Sequence, residues 1–219
     1  MSDEVSPTWR AWAVWAMGAL FFFYAFLHRV APSVMVPDLM RDFQVGASAL
    51  GGLSAFYFYA YVAVQMPTGL MADRFGPRRL LTAAALVSAI GGLLFANTDN
   101  LTLAGLGRLL VGTGAGFGFV CTLRMITDWF PPQRLALLTG ATMMLGMAGG
   151  VFGQAPLALM VESVGWRPTM TGVALFGVVI ALGAWLITKD QRGAGAVPTH
   201  HAPSVVGGGR GVLANPPTW

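Results

Sequence analysis

A single cysteine, Cys121, in 219 residues leaves no internal disulfide to form and carries no information about redox compartment. Charge is scarce as well: 10% of residues are Asp, Glu, Lys or Arg, against roughly 25% in soluble domains. Together with 55% hydrophobic residues and a mean hydropathy of +0.65, this excludes a soluble domain of any size. No acid stands in the middle of a long apolar run; all nine lie near run ends or in connections. Alternating ten-residue strands are missing, which disfavours a barrel. There is no HExxH, no Gly-x-Ser-x-Gly and no pair of buried aspartates, so no catalytic residue, metal ligand set or cofactor site is assigned.

What is present is a set of long uncharged intervals: 11–27, 43–72, 80–98, 109–123, 135–161 and 168–188. About 20 apolar residues cross a bilayer core as a helix. The intervals predict six transmembrane helices, at about Trp9–Val36, Ala47–Met71, Leu80–Ala96, Leu101–Leu123, Leu135–Val161 and Thr169–Thr188. Pro32 is expected to kink the first helix, not to end it. His28-Arg29 follows the first apolar run where a small-residue cleavage site would stand, so that run reads as a retained helix. Twenty-nine glycines suit membrane helices, whose backbones approach through small residues.

The isoelectric point of about 9.8 is a topology signal, not a nucleic-acid signal. With a cytoplasmic N-terminus, Arg10, Arg74, Arg78, Arg79, Arg124, Arg134, Lys189, Arg192 and Arg210 fall inside. Arg29, Arg41 and Arg167 fall outside or near the outer surface, and Arg108 lies within the membrane. Nine against three follows the positive-inside rule and predicts a multi-pass protein of the inner (plasma) membrane.

The chain repeats itself. Gln65, Pro67, Asp73, Gly76 and Arg78 are each matched 89 positions later, by Gln154, Pro156, Glu162, Gly165 and Arg167. Three predicted crossings separate the copies, so they face opposite sides of the membrane. The expected fold is therefore all-α, six transmembrane helices in a 3+3 inverted repeat, about 9–96 and 101–188.

Between the second and third helices stands Gly69-x-x-x-Asp73-Arg74-x-Gly76-x-Arg78-Arg79. This resembles the signature loop of the major facilitator superfamily, and the weaker echo at Ala158, Glu162, Gly165 and Arg167 belongs with it. The resemblance covers nearly the whole chain and implies a secondary transporter built of two six-helix halves, of which this is the N-terminal one. It also implies a conformational-gating role for Gly69, Asp73, Arg74, Gly76, Arg78 and Arg79, with Asp128 the expected acidic partner of one of the arginines. Arg108 with Gly112 resembles the family's fourth-helix arginine motif. Gly146, Gly149, Gly150, Gly153 and Pro156 resemble its glycine-rich fifth-helix motif, without the usual Gly-Pro pair.

Tyr24–Pro37 resembles, more weakly, the first helix of the organophosphate:phosphate antiporters of that superfamily, in which a first-helix arginine helps bind phosphate. This makes Arg29, with its neighbours Tyr24 and His28, and Arg108 candidate substrate-binding residues, since a guanidinium fork matches two anionic oxygens. Arg29 reads equally as an arginine snorkelling outward, and Arg108 as a structural arginine bonding backbone carbonyls. Arg29 and Arg108 are each placed about seven residues into their helices, so they are expected to meet at one level and face the central cavity. With no mid-membrane carboxylate, a coupled proton would have to use His28, an end-of-helix acid or a residue beyond this chain.

The expected organisation is a cytoplasmic N-terminus (1–8), a six-helix bundle (9–188) and a flexible cytoplasmic linker (189–219). That linker is expected to end at the approach to a missing seventh helix. His200-His201 in the linker reads as solvated, not metal-binding. The expected function is transport of a small solute, an organic anion among the candidates, by alternating access. The expected partners are that solute, the lipid bilayer, and a C-terminal six-helix half or a second copy; no nucleic acid is expected. A transport-inactive sensor or regulator of the same fold, and a six-helix half that dimerises, remain the alternatives.

Overall fold

The computed structural model describes residues 8–188; residues 1–7 and the expected linker at 189–219, with His200-His201, lie outside the described residues. In chain order the helices are α1 Trp9–Val30, α2 Val36–Phe43, α3 Ala47–Phe75, α4 Pro77–Ala96, α5 Leu101–Trp129, α6 Leu135–Phe152, α7 Ala155–Val164 and α8 Trp166–Ile187. Short 3-10 turns occupy Ala31–Val34 and Pro132–Arg134. Among the described residues, six stretches are long and apolar enough to cross a membrane: α1 with its following turn, α3, α4, α5, the α6–α7 pair with its preceding turn, and α8.

The 89-residue repeat is visible in the backbone. Gly76 and Gly165 adopt φ of +81° and +89° with ψ of 150° and 160°. This conformation is open essentially to glycine alone, so each repeat turns at its glycine without a loop. The signature "loop" is therefore one residue: Gly69, Asp73 and Arg74 belong to α3, and Arg78 and Arg79 to the first turn of α4. Arg78 donates from Nε and Nη2 to the carbonyl of Trp185 near the end of α8, at 3.0 and 2.6 Å. Its counterpart Arg167 donates from Nη1 to the carbonyl of Ala96, the last residue of α4, at 3.1 Å. Trp185 and Ala96 are themselves 89 apart. Each repeat's arginine thus satisfies a C-terminal carbonyl of the other repeat's third helix, a group its own helix leaves without a partner.

α5 is the most buried span and packs on α4, α3 and α1, while α8 closes against α4 and α1. Glycines set the spacing: a Cβ at Gly91 would sit 2.6 Å from the Gly107 carbonyl, so α4 and α5 touch through their backbones. α3 and the α6–α7 pair are the least buried spans.

Two expected helices are broken. Pro32 ends α1 instead of kinking it. It cannot donate to the His28 carbonyl, the chain tightens into a 3-10 turn, and α2 begins anew with Pro37 in its first turn. The expected helix over 135–161 is divided at Gly153-Gln154, where Gln154 leaves the helical region at φ −104°, ψ −99°. Gly149, Gly150 and Gly153 have low helix propensity, and Pro156 suits the start of α7. The first repeat carries Ala60, Tyr61 and Val64 at the equivalent positions, and there α3 runs through Pro67 unbroken.

Candidate functional site

Arg29 lies in the last turn of α1, not seven residues from its end as the longer expected helix implied. Its guanidinium rests on aromatic faces, 4.5 Å from the Phe26 ring centroid and 4.8 Å from that of Tyr61, with Tyr57 and Phe58 at 5.9 Å. Such contacts contribute about 0.5–2 kcal/mol each, the more as water is excluded. The residue is half-buried, and among the described residues its Nε has no hydrogen-bond partner and no carboxylate pairs with it. It lines a groove of about 400 Å³ whose other walls include Ser33, Val36, Leu39, Ser54 and Phe58.

Arg108 is 1% exposed and enclosed among α1, α3, α4 and α5. Its Nη1 donates to the His28 carbonyl at 2.9 Å, the acceptor that Pro32, four residues on, cannot satisfy. The guanidinium also lies 4.9 Å from the Tyr57 centroid and 5.9 Å from that of Phe95. Its Nε and Nη2 have no hydrogen-bond partner among the described residues. A buried cation left so incompletely compensated is expensive in the absence of further ligands.

Tyr57, to which no sequence motif pointed, joins the two arginines. Its ring takes one guanidinium at 4.9 Å and the other at 5.9 Å, and its hydroxyl donates to the Ala25 carbonyl at 3.3 Å. Tyr61 lies nearly parallel to it, 12° between planes. The run Phe56-Tyr57-Phe58-Tyr59 and Tyr61 was the available signal: tyrosines at 57 and 61, one helical turn apart, share a face.

Tyr24 and His28 face away from this groove. Their rings meet edge to face at 4.6 Å, and both side chains are wholly buried. Small residues of α4 and α8 make room for them: a Cβ at Gly92 would approach His28 Cε1 at 3.2 Å, and one at Gly177 would strike the Tyr24 hydroxyl. Neither the Tyr24 hydroxyl nor either His28 ring nitrogen has a hydrogen-bond partner among the described residues. The four candidate residues thus divide. Arg29 opens on the groove, Tyr24 and His28 are enclosed behind α1, and Arg108 connects to both sides through Tyr57 and the His28 carbonyl.

The gating candidates gather at the other end of the bundle. Arg124 bridges Asp73, at 3.5 Å, and Asp128, at 3.3 Å. Arg124 was expected only among the inside charges, and it brings the acid of the signature to the acid of α5. With the Arg124 and Asp73 side chains about half or more exposed, the bridge to Asp73 contributes roughly 0–1 kcal/mol. Arg78 stacks 4.3 Å from the Trp185 ring centroid while bonding its carbonyl, and Arg74 lies 5.6 Å from that of Phe75. Arg79 is exposed, as is Gly69, around which a Cβ would meet nothing within 4 Å.

Comparison with known proteins gives a consistent picture. The family model described as the Major Facilitator Superfamily matches residues 15–219. A probable sulfoacetate transporter of Cupriavidus necator is 28% identical over 148 residues, covering 68% of this chain and 34% of the relative. The drug efflux pump JefA of Mycobacterium tuberculosis is 30% identical over 159 residues, covering 71% and 30%. The crystal structure of a bacterial homologue of the human lysosomal transporter Spinster, inward-facing and unoccupied, matches with a TM-score of 0.78 at 20% identity. That match covers 96% of this chain and 50% of the other, and shows the fold. The chain spans about a third of the length of these curated relatives.

Proposed function

The chain belongs to the Major Facilitator Superfamily, and on that premise we propose that it is the N-terminal six-helix half of a carrier that moves a small organic anion by alternating access. The observation that carries the anion is Arg29: a cation on an aromatic platform, facing a groove, with no carboxylate partner among the described residues. A carboxylate or sulfonate oxygen pair would supply what the guanidinium lacks, in the fork geometry it favours. The sulfoacetate transporter among the relatives supports this class, since its named substrate carries both groups. Arg108 lies behind Tyr57 and adds positive potential at the same level without meeting the groove.

The second half, or a second copy, would cover the least buried spans, α3 and α6–α7, where Tyr59, Val62, Met66, Met144, Met147 and Val151 are exposed. Exchange between two packings of such halves is how a rocking carrier exposes one site to each side in turn. The charge bias supports a cytoplasmic N-terminus. The ion pairs of Asp73, Arg124 and Asp128 would then lie at the cytoplasmic end, where they favour one packing over the other.

The test is binding and uptake of sulfoacetate, as probe, by the full-length protein in proteoliposomes. Arg29→Lys keeps the charge and loses the fork, and should weaken binding about tenfold, or 1.4 kcal/mol. Arg29→Gln should abolish it. Arg108→Lys, which gives up the two-sided aromatic contact, should lower thermal stability as well as binding. Parent-like affinity in both Lys variants would refute the anion reading.

A further inference from the structure

The groove at Arg29 has one wall that is not a membrane span. α2 contributes Val36 and Leu39 to it, facing Leu50, Ser54 and Phe58 of α3. An eight-residue helix does not hold itself in place, so its seat must come from elsewhere. Gln44 closes it in the left-handed region at φ 53°, its side-chain Nε2 donating to the Arg41 carbonyl at 2.6 Å. Leu39 and Phe43 face inward, and Phe43 lies 6.0 Å from Trp166 between ring centroids.

The polar tie is made by Asp42. One carboxylate oxygen accepts the indole N–H of Trp166 at 2.8 Å, and Arg167 Nε approaches the same oxygen at 3.7 Å. The other oxygen takes Arg41 Nε at 3.2 Å, and Arg41 also pairs with Asp38 at 2.8 Å. The receiving side is rigid. Trp166 is 3% exposed and packs on Phe95. Arg167 is fixed by the Ala96 and Thr98 carbonyls and by Asp99, at 3.1, 2.9 and 2.7 Å. α2 is thus fastened, through the one carboxylate of Asp42, by a charge-assisted hydrogen bond to Trp166 and a longer ion pair to Arg167, at the turn where the second repeat enters its last helix.

We propose that Asp42 and Trp166 form a latch that seats α2 as the wall of the Arg29 groove, which makes both of them positioning residues for access to that guanidinium. The proposal rests on reading the groove as the solute site. Release of the indole bond would let α2 swing about Met35 and Gln44, the non-helical residues at its two ends, and widen the groove without disturbing α1 or α3. A short segment held through one carboxylate over a charged site is the kind of element that opens first.

The test uses the full-length protein with Ser54→Cys, in lipid nanodiscs that leave both faces accessible, and a water-soluble maleimide. Cys121 is wholly buried and should stay unlabelled while the bundle is folded, so it reports intactness in the same sample. Trp166→Phe keeps an aromatic ring, though a smaller one, and removes the N–H; Asp42→Ala removes the acceptor; Asp42→Asn keeps an acceptor oxygen. Labelling at position 54 should accelerate about tenfold in the Phe and Ala variants, the loss of a hydrogen bond to a charged acceptor, and be largely rescued in the Asn variant. Parent-like labelling in both Trp166→Phe and Asp42→Ala, with Cys121 protected, would overturn the latch. Labelling requires no anion, so failure of the latch and failure of the anion reading are separately visible.

Discussion

Gly112→Ala offers the sharpest test of how the arginines are held. A Cβ at Gly112 would press on the Tyr57 carbonyl oxygen, with Tyr57 C and Cα at 2.9 Å, whereas ordinary contact begins near 3.4 Å. All three opposing atoms are backbone, so no rotamer change relieves the clash; α3 and α5 must part by something on the order of half an ångström or more. Overpacking of this kind costs about 1–3 kcal/mol, against at most about 1 kcal/mol gained from the better helix propensity of alanine. Gly172→Ala on α8 is the control, because a Cβ there meets nothing within 4 Å, and it should keep the propensity gain. The two substitutions are chemically identical and should move the melting temperature in opposite directions, by a few degrees each. The measurement is thermal unfolding of both variants in one detergent. Because Tyr57 carries both guanidiniums, Gly112→Ala should also weaken anion binding while Gly172→Ala does not. A Gly112→Ala protein that melts at or above the parent would refute a backbone-limited contact between α3 and α5.

Three further outcomes are expected. In a Cys121→Ala background, Asp99→Cys should react with an impermeant reagent from outside the cell and Gln133→Cys, exposed in the connection between α5 and α6, only from inside; the reverse pattern would overturn the orientation. Asp73→Asn removes the Arg124 bridge and should impair transport by the full-length protein while insertion stays near normal, because acidic residues at span ends have little influence on it; unchanged kinetics would leave the signature acid without a gating role. Arg78→Lys and Arg167→Lys each lose a planar fork from a helix-end carbonyl. They should destabilise the bundle to similar extents, measured by thermal unfolding, with Arg167→Lys the larger because it also gives up the Thr98 and Asp99 contacts.

The spans were legible because hydropathy is a sum over twenty residues and tolerates local irregularity. The repeat was legible because Gly76 and Gly165 occupy a conformation that no other residue tolerates well, which holds them in the pattern. The breaks were harder. Pro32 and Pro67 look alike in sequence, yet one ends a helix and the other sits within one, a difference that residue type alone does not carry. At the site, the arginines announced themselves by their charge, whereas Tyr57 and Tyr61 lay in an aromatic run of the kind that also faces lipid. Arg124 was missed for a related reason. Pairing with Asp128 follows from four-residue spacing on α5, but its reach to Asp73 depends on how α3 and α5 come together.

The exchange of helix-end bonds between the repeats has a consequence for the order in which the protein is made. A ribosome delivers Arg78 with its helix long before Trp185, the acceptor 107 positions downstream. Arg167, by contrast, emerges when Ala96 and Asp99 have already been made. The end of the bundle carrying Asp99 can therefore lock as α8 begins, and the end carrying the signature turn only when α8 is complete. Until then the first three spans hold an arginine pledged to a helix that does not yet exist, and a nascent chain stalled before that point is open at one end.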